Sequence, residues 1–255
     1  MPTALVTGGT SGIGAAFARA LAARGDDLIL VARDAERLGS AADELAQRYG
    51  VRVETLPADL AAPDDVARVA ERIASTDAPV DTLVNNAGFG MRVRLADADL
   101  APHDHGIDVM IRAVLHLGGA AARAMRERGR GTIINVGSTA GLITLGNYSA
   151  IKAWVSVYSE SLAVELAGTG VQVTVLCPGW VRTEFHHRAK VNASAIPESL
   201  WLDADEVVAD TLADVAKGKI VSIPSRRYKV LTFLLRHAPR AAVHAVSAKI
   251  NSSRH

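Results

Sequence analysis

The sequence has little that would point to secretion or to a membrane-spanning protein. Its single cysteine, Cys177, cannot form a disulfide within the chain and is typical of a reducing compartment. The apolar neighbours of this cysteine favour a buried structural thiol over a nucleophile. The chain passes from Met1 directly into an apolar segment and a glycine-rich turn, which leaves no room for a secretion signal. No apolar run reaches about 18 residues. We therefore expect a cytoplasmic protein.

Acidic residues are absent from the carboxyl-terminal end of the chain. The 255 residues carry a formal net charge of +1, which gives no global argument for nucleic-acid binding. No Asp or Glu follows Asp214, whereas basic residues continue: Lys217, Lys219, Arg226, Arg227, Lys229, Arg236, Arg240, Lys249 and Arg254. Apolar residues recur at helical spacing in the same region, as at Val243, Val246 and Ile250. This basic amphipathic tail either contacts an anionic membrane surface or acyl carrier, or packs as helices on the domain or a neighbouring subunit.

Short apolar runs alternate along the chain with longer segments of helical periodicity. The pattern predicts an α/β fold, with one doubly wound parallel sheet of seven strands and helices on both faces. Strands are predicted at Ala4–Thr7, Asp27–Ala32, Arg52–Pro57, Thr82–Asn85, Thr132–Val136, Gln172–Leu176 and Ile220–Ile223. Helices are predicted at Ile13–Arg24, Ala35–Tyr49, Pro63–Ser75, Gly106–Arg128, Tyr148–Leu166 and Ala204–Ala216. We assign residues 1–225 to one catalytic domain and residues 226–255 to a helical tail packed on it.

A glycine-rich turn joins the first strand to the first helix. It reads Thr-Gly-Gly-Thr-Ser-Gly-Ile-Gly over residues 7–14. Glycines at this point let the backbone approach a pyrophosphate at the helix amino end, although tight packing alone would also explain them. The turn therefore predicts dinucleotide binding.

The end of the second strand indicates which dinucleotide is bound. A carboxylate at this point would bind a ribose 2′-hydroxyl, whereas this chain has Ala32 followed by Arg33. A guanidinium pairs with a 2′-phosphate, and a carboxylate would repel it. NADP(H) is therefore preferred and NAD(H) remains an alternative, since Arg33 could also be a solvated surface residue.

Tyr148 and Lys152 supply the groups that hydride transfer to a carbonyl requires. The reaction builds negative charge on oxygen, so a donor must protonate that oxygen. Four residues apart on a helix, the two side chains share one face, and a close ammonium makes a phenol a better proton donor.

Several motifs together resemble those of the short-chain dehydrogenase/reductase family. They are Thr-Gly-x-x-x-Gly-Ile-Gly, Asn-Asn-Ala-Gly at 85–88, Tyr-x-x-x-Lys at 148–152 and Pro-Gly-x-Val-x-Thr at 178–183. The resemblance implies a Rossmann-like NADP-dependent enzyme with Ser138, Tyr148 and Lys152 as its catalytic residues. It implies cofactor contacts at Gly8, Thr10, Ser11, Gly12, Ile13, Gly14, Arg33, Asp59, Leu60, Asn85, Ala87, Gly88, Tyr148, Lys152, Pro178, Gly179, Val181 and Thr183. Ser11 departs from many NADP-preferring relatives, which carry a second basic residue there.

Met110 departs from the family pattern more seriously. Many members have an asparagine here that holds a water for proton relay through the lysine, and a thioether cannot donate a hydrogen bond to that water. The leading function is NADP(H)-dependent reduction of a ketone or aldehyde, or its reverse. The alternative is an NADP(H)-binding protein with impaired catalysis that acts as a sensor or binding module.

The resemblance also implies a lid over the substrate at about residues 184–203. Its apolar residues, including Phe185, Ile196, Leu200, Trp201 and Leu202, favour an apolar substrate. The paired histidines His103 with His105 and His186 with His187 have no third ligand at helpful spacing, so no metal is expected. By resemblance, the protein would form a homodimer or homotetramer through the helices Gly106–Arg128 and Tyr148–Leu166.

Overall fold

The computed structural model describes residues 1–91, 93–184 and 197–252. Its seven-stranded sheet is entirely parallel, with the spatial order β3-β2-β1-β4-β5-β6-β9. The strands are β1 (Thr3–Thr7), β2 (Asp27–Ala32), β3 (Val53–Pro57), β4 (Thr82–Asn85), β5 (Gly131–Val136), β6 (Val171–Leu176) and β9 (Val221–Ser222). The predicted fold class is confirmed. A second, two-stranded sheet that the sequence did not predict pairs β7 (Trp180–Val181) with β8 (Trp201–Leu202).

Helices connect the strands and cover both faces of the sheet. They are α1 (Gly12–Ala23), α2 (Ala35–Tyr49), α3 (Pro63–Ala74), α4 (Ala101–Ile107), α5 (Ala113–Arg128), α6 (Asn147–Glu165), α7 (Ala204–Val215), α8 (Arg226–His237) and α9 (Arg240–Ser252). Val246 and Ile250 were predicted to share one face of the tail. Their side chains lie outside the part of the chain that the structure describes. No helix in the described part of the chain is long and apolar enough to cross a membrane.

The prediction of one helix at Gly106–Arg128 is wrong in two respects: the helical segment starts at a different residue, and it is not a continuous α-helix. The helical segment begins earlier, at Ala101, where Pro102 occupies the first turn and loses no intrahelical hydrogen bond. A π-helical turn at Asp108–Arg112 then separates α4 from α5, with the Ala113 N–H donating to the Asp108 carbonyl. Apolar periodicity does not distinguish this wider turn from an α-helical one.

Two apolar clusters fill the spaces between sheet and helices. One, with Leu5, Ile29 and Leu117, lies on one face of the sheet, and the other, with Phe17 and Leu30, lies on the opposite face. Alternate residues of each strand thus enter different clusters, because successive side chains point to opposite faces. The sheet is buried on both faces, as a parallel sheet with crossover helices requires.

The order of the strands places a crevice at the carboxyl-terminal edge of the sheet. β1 pairs with both β2 and β4, so the chain winds away from β1 in one direction and then in the other. The connections that follow β1 and β4 therefore diverge to opposite faces, and ligands of such sheets bind in the resulting gap.

Candidate active site

The carboxyl-terminal edge of the sheet opens into a cavity of about 800 Å³. Its wall is formed by the segments that follow β1 to β6 and by the first turns of α6. Seventeen predicted site residues line it: Gly8, Thr10, Ser11, Gly12, Ile13, Arg33, Asp59, Leu60, Ala87, Gly88, Ser138, Tyr148, Lys152, Pro178, Gly179, Val181 and Thr183. Gly14 and Asn85 lie outside the wall. The predicted cofactor and catalytic groups therefore share one cavity.

The glycine-rich turn forms one end of this cavity. Gly12 has a φ of 55°, in the left-handed region that favours glycine. Gly14 packs behind the wall, where a Cβ would overlap the Gly8 carbonyl and the side-chain amide of Asn86. α1 begins at Gly12, and its first backbone N–H groups have no partner within the helix. This end of the cavity can hold a pyrophosphate.

Two arginines line the cavity beyond the end of β2. Arg33 and Arg37 are both exposed, and Ala32, the last residue of β2, contributes no carboxylate. Asp34 caps α2 by accepting the Arg37 N–H at 3.0 Å. The guanidinium of Arg37 lies 3.4 Å from the carboxylate of Glu184. Arg37 was not predicted, although its place in the first turn of the helix after Arg33 is a usable signal.

The two asparagines of the Asn-Asn-Ala-Gly motif have different structural roles. Asn86 fixes the glycine-rich turn, since its backbone N–H donates to Thr7 Oγ1 and its Nδ2 donates to the Thr7 carbonyl, each at 2.9 Å. Asn85 is buried and donates through Nδ2 to Asn135 Oδ1 at 2.9 Å. Asn135 in turn donates to Ser159 Oγ on α6 at 2.9 Å. Asn85 thus braces the sheet behind the cavity, at a position where sequence reasoning expected a cofactor contact.

Ser138 lies immediately after β5, in the wall of the cavity. Its Oγ accepts the Ala140 N–H at 3.1 Å and caps the short 3₁₀ turn Thr139–Leu142. A serine hydroxyl that accepts in this way can still donate its own hydrogen to a ligand. Thr139 Oγ1 donates to the Pro178 carbonyl at 3.2 Å, which ties this loop to the segment after β6.

Tyr148 and Lys152 lie one turn apart at the amino end of α6. Tyr148 is half-buried, while Lys152 is buried and its Nζ donates to the Val136 carbonyl at 2.8 Å. The same Nζ lies 5.8 Å from the centre of the Tyr148 ring. Burial lowers the pKa of Lys152 to about 8. A cation this close to the phenol favours the phenolate that proton donation would leave behind.

Tyr228 on α8 supports the segment that follows β6. Its hydroxyl accepts the Trp180 N–H at 3.0 Å and donates to the Leu200 carbonyl at 2.8 Å. A Cβ at Gly179 would overlap the Tyr228 ring, so only glycine permits this contact. Gly179 and Trp180 both line the cavity. The tail therefore braces one wall of the site.

The rest of the wall is mainly apolar. The rings of Phe89 and His105 stack with their centres 5.0 Å apart. The lining residues beyond the predicted set include Phe89, Met91, His105, Val109, Ile143, Leu145 and Trp180. Sequence reasoning missed them because they come from loops and a helix flank whose placement depends on tertiary packing.

Comparison with known proteins identifies the family. A model described as "short chain dehydrogenase" matches residues 2–193. The chain belongs to the short-chain dehydrogenase family. The family resemblance read from the sequence motifs is therefore confirmed.

Individual relatives of this short-chain dehydrogenase are similar over most of their length. Sulfoacetaldehyde reductase 2 of Chromohalobacter salexigens is 37% identical over 216 residues, which cover 83% of this chain and 85% of the relative. A short-chain dehydrogenase from Sphingobium yanoikuyae, solved in complex with NADPH, has a TM-score of 0.84 and 34% identity, covering 94% of this chain and 98% of that one. The bulky-bulky ketone specific alcohol dehydrogenase of Comamonas testosteroni has a TM-score of 0.79 and 31% identity, covering 94% and 96%.

Met110 of this dehydrogenase is buried in the π-helical turn between α4 and α5. Its sulfur lies beside Gly88, where an added Cβ would approach Sδ to 3.1 Å. Val109 reaches the cavity wall, whereas Met110 is outside it. A thioether cannot donate to a water, so a proton relay past this position would use another group.

Most of the predicted lid of this dehydrogenase, including Phe185, His186, His187 and Ile196, lies outside the described residues. Of the other predicted histidine pair, His103 is buried with Nε2 3.1 Å from the Arg94 carbonyl. Within residues 1–91, 93–184 and 197–252, no group of three or more His, Cys, Asp or Glu side chains could hold a metal ion. Cys177 is buried, as predicted, and burial raises its pKa.

Proposed function

We propose that this chain is an NADP(H)-dependent oxidoreductase that reduces an apolar ketone or aldehyde, or catalyses the reverse reaction. The observation that carries the proposal is that both groups of residues needed for such a reaction line one cavity. The glycine-rich turn and Arg33 line it, and so do Ser138, Tyr148 and Lys152. Family membership and the NADPH complex of the Sphingobium yanoikuyae relative support it.

The residues of the cavity fit NADP(H). The turn before α1 would hold the pyrophosphate, since its glycines admit close backbone approach and its helix end favours anions. Arg33 would pair with the 2′-phosphate, with Arg37 close enough to add a second cation. Thr183 and the backbone near Gly179 would hold the nicotinamide carboxamide, as the family resemblance implies. The bound nicotinamide supplies or accepts the hydride.

Residues of the chain would position and protonate the carbonyl oxygen of the substrate. Ser138 would donate a hydrogen bond to the carbonyl oxygen and fix its position. As the hydride reaches the carbonyl carbon, Tyr148 would give its phenolic proton to the oxygen, so that an alcohol and a phenolate result. The ammonium of Lys152 would stabilise that phenolate until a proton returns from solvent. In the reverse direction the phenolate would accept the alcohol proton.

The substrate wall favours an apolar carbonyl compound. The cavity is lined by the apolar side chains of Phe89, Val109, Ile143 and Leu145. Such a surface gives little to hold a highly hydroxylated substrate and gains free energy when it covers an apolar one. The related bulky-bulky ketone specific alcohol dehydrogenase of Comamonas testosteroni supports a ketone as the substrate.

Met110 favours a second candidate, an NADP(H)-binding protein with impaired catalysis that serves as a sensor or binding module. Its buried thioether stands where the family resemblance expects a water-holding amide. Tight NADPH binding without turnover of any carbonyl would select this candidate.

We also propose that the chain forms a homodimer or homotetramer through α5 and α6. Leu115 on α5 and Val157 and Val164 on α6 are large, exposed apolar side chains. Burial against a second copy would remove them from water. Light scattering of the purified protein tests this, and a monomeric mass would contradict it.

Titration of the purified protein with NADPH and NADH, followed by assays of NADPH oxidation against apolar ketones and aldehydes, tests the main proposal. We expect tighter binding of NADPH than of NADH, and oxidation that depends on a carbonyl compound. Failure to bind either nucleotide would overturn the proposal.

A further inference from the structure

Helix α8 uses one side to attach to the domain. Tyr228 and Thr232, one turn apart, are almost fully buried, and Leu235 continues the same stripe as a partly buried residue. Tyr228 contacts the cavity wall at Gly179 and Trp180. This side supplies the buried contacts between α8 and the domain, and Arg227 adds a hydrogen bond to the Ser199 carbonyl.

The opposite side of α8 is a second apolar stripe, which faces water. Val230, Phe233 and Leu234 share this side by helical spacing, and they are 61%, 62% and 60% exposed. Leu231 beside them is 40% exposed. Scattered exposed apolar residues are common, but a continuous stripe of large ones marks an interaction surface. We call Val230, Leu231, Phe233 and Leu234 the outer face of α8.

Cations surround the outer face. Arg226, Arg227, Lys229 and Arg236 are exposed on α8, and Arg240 follows at the start of α9. The sequence has no Asp or Glu after Asp214. Among the residues that the structure describes, no salt bridge includes a residue of α8 or α9. The surface is thus complementary to an apolar layer bordered by anions.

We propose that the outer face of α8 docks on an anionic lipid surface. Phe233, Leu234 and Val230 would enter the boundary between headgroups and acyl chains, while the flanking arginines and lysine pair with lipid phosphates. Docking of α8 against α8 of a second copy would instead bring two cationic borders together. The lipid surface would lie on the side of α8 opposite Tyr228, one helix away from the cavity wall. This proposal does not depend on the catalytic one.

Co-sedimentation of the full-length protein with vesicles tests the proposal. One set of vesicles is phosphatidylcholine alone and the other contains phosphatidylglycerol as well. The test variant is Phe233→Ser with Leu234→Ser, which removes two exposed side chains and leaves the buried stripe intact. The control is Leu95→Ser with Leu100→Ser, a pair of exposed leucines in the segment before α4. Circular dichroism and NADPH titration check that each variant is folded.

We expect binding to the anionic vesicles only, weakened by salt, and lowered by about tenfold or more in the α8 variant but unchanged in the control. Equal binding by the α8 variant and the wild-type protein would overturn the proposal. So would a lack of binding to anionic vesicles. A fall in oligomeric mass of the α8 variant, without vesicle binding by the wild-type protein, would assign the outer face to a subunit contact instead.

Discussion

Lys152 carries a positive charge that opposes folding and that, in the proposed mechanism, helps the reaction. Its Nζ is buried, with the Val136 carbonyl as a hydrogen-bond acceptor at 2.8 Å. Removing an ammonium from water is unfavourable, which is why burial lowers the pKa of Lys152 from 10.5 to about 8. The same charge lies 5.8 Å from the Tyr148 ring centre, where it would stabilise the phenolate of the proposed mechanism. On this proposal, Lys152 supports function at the expense of stability.

The effect of pH on stability follows from the direction of this shift. Below about pH 8 the lysine is protonated in both the folded and the unfolded chain, so burial of the charge fully opposes folding. Between about 8 and 10.5 the folded protein loses this proton while the unfolded chain keeps it, so stability rises with pH. A shift of this size corresponds to about 3 kcal/mol.

Replacement of Lys152 by Met separates the two effects. Carbonyl reduction should fall by about a hundredfold or more, because Tyr148 loses its neighbouring cation. The unfolding free energy of the cofactor-free wild type should rise relative to the variant by up to about 3 kcal/mol as pH increases from about 8 to above 10. Urea denaturation across this range measures it. A difference that is independent of pH would contradict the assigned burial of the charge.

Arg33 is the residue on which, in the proposed function, the choice of dinucleotide depends. Arg33→Ala should raise the dissociation constant for NADPH by about tenfold, the effect of losing one charge-assisted contact. Binding of NADH, which has no 2′-phosphate, should change little. Fluorescence titration measures both, with Arg48→Ala at the far end of α2 as the control. Equal losses of affinity for NADPH and NADH would show that Arg33 does not bind the 2′-phosphate.

At the level of elements, α8 and α9 make hydrogen bonds that stabilise two segments of the cavity wall. Tyr228 on α8 bonds to the Trp180 N–H and the Leu200 carbonyl, and Ser247 on α9 accepts the Thr144 N–H at 3.0 Å. The neighbours of Thr144, Ile143 and Leu145, line the cavity. The inner side of the tail therefore serves the site, whatever its outer face contacts.

Tyr228→Phe keeps the ring against Gly179 and removes both hydrogen bonds of the hydroxyl. We expect the unfolding free energy to fall by about 1 to 3 kcal/mol, because the Trp180 N–H and Leu200 carbonyl lose their partner. NADPH should also bind less tightly, since the segment that lines the cavity is less well fixed. Urea denaturation and nucleotide titration of this variant and of Tyr49→Phe, a control on α2, measure the two effects. Unchanged nucleotide affinity would confine Tyr228 to a structural role.

Sequence patterns predicted elements well where one apolar period continues and poorly elsewhere. β2 and α2 match their predicted bounds, since β2 is an unbroken apolar run and Asp34 and Gly50 cap α2. The π-helical turn before Ala113 and the pairing of β7 with β8 were missed. The first retains helical periodicity, and the second joins two-residue segments that are too short to show a pattern.

At the scale of the whole molecule, the alternation of strands and helices was enough to predict the doubly wound sheet and the edge at which ligands bind. Polar residues of the candidate site could be predicted where they follow a strand, as Arg33 and Ser138 do. The apolar wall could not, since Phe89, Ile143 and their neighbours are brought together by loops. The sequence already indicated the cofactor class and, through the predicted lid, an apolar substrate, and the structure adds the apolar wall of the cavity in support of that substrate class.

NADPH-dependent reduction of an apolar ketone by the wild-type protein, Tyr148→Phe and the control Tyr158→Phe is the most direct test of the central claim. Tyr158 is on the same helix and outside the cavity wall. We predict that Tyr148→Phe binds NADPH normally and loses about 10² to 10⁴-fold in rate, while Tyr158→Phe keeps its activity. Undiminished reduction by Tyr148→Phe would contradict the account, because the proton would then come from another group.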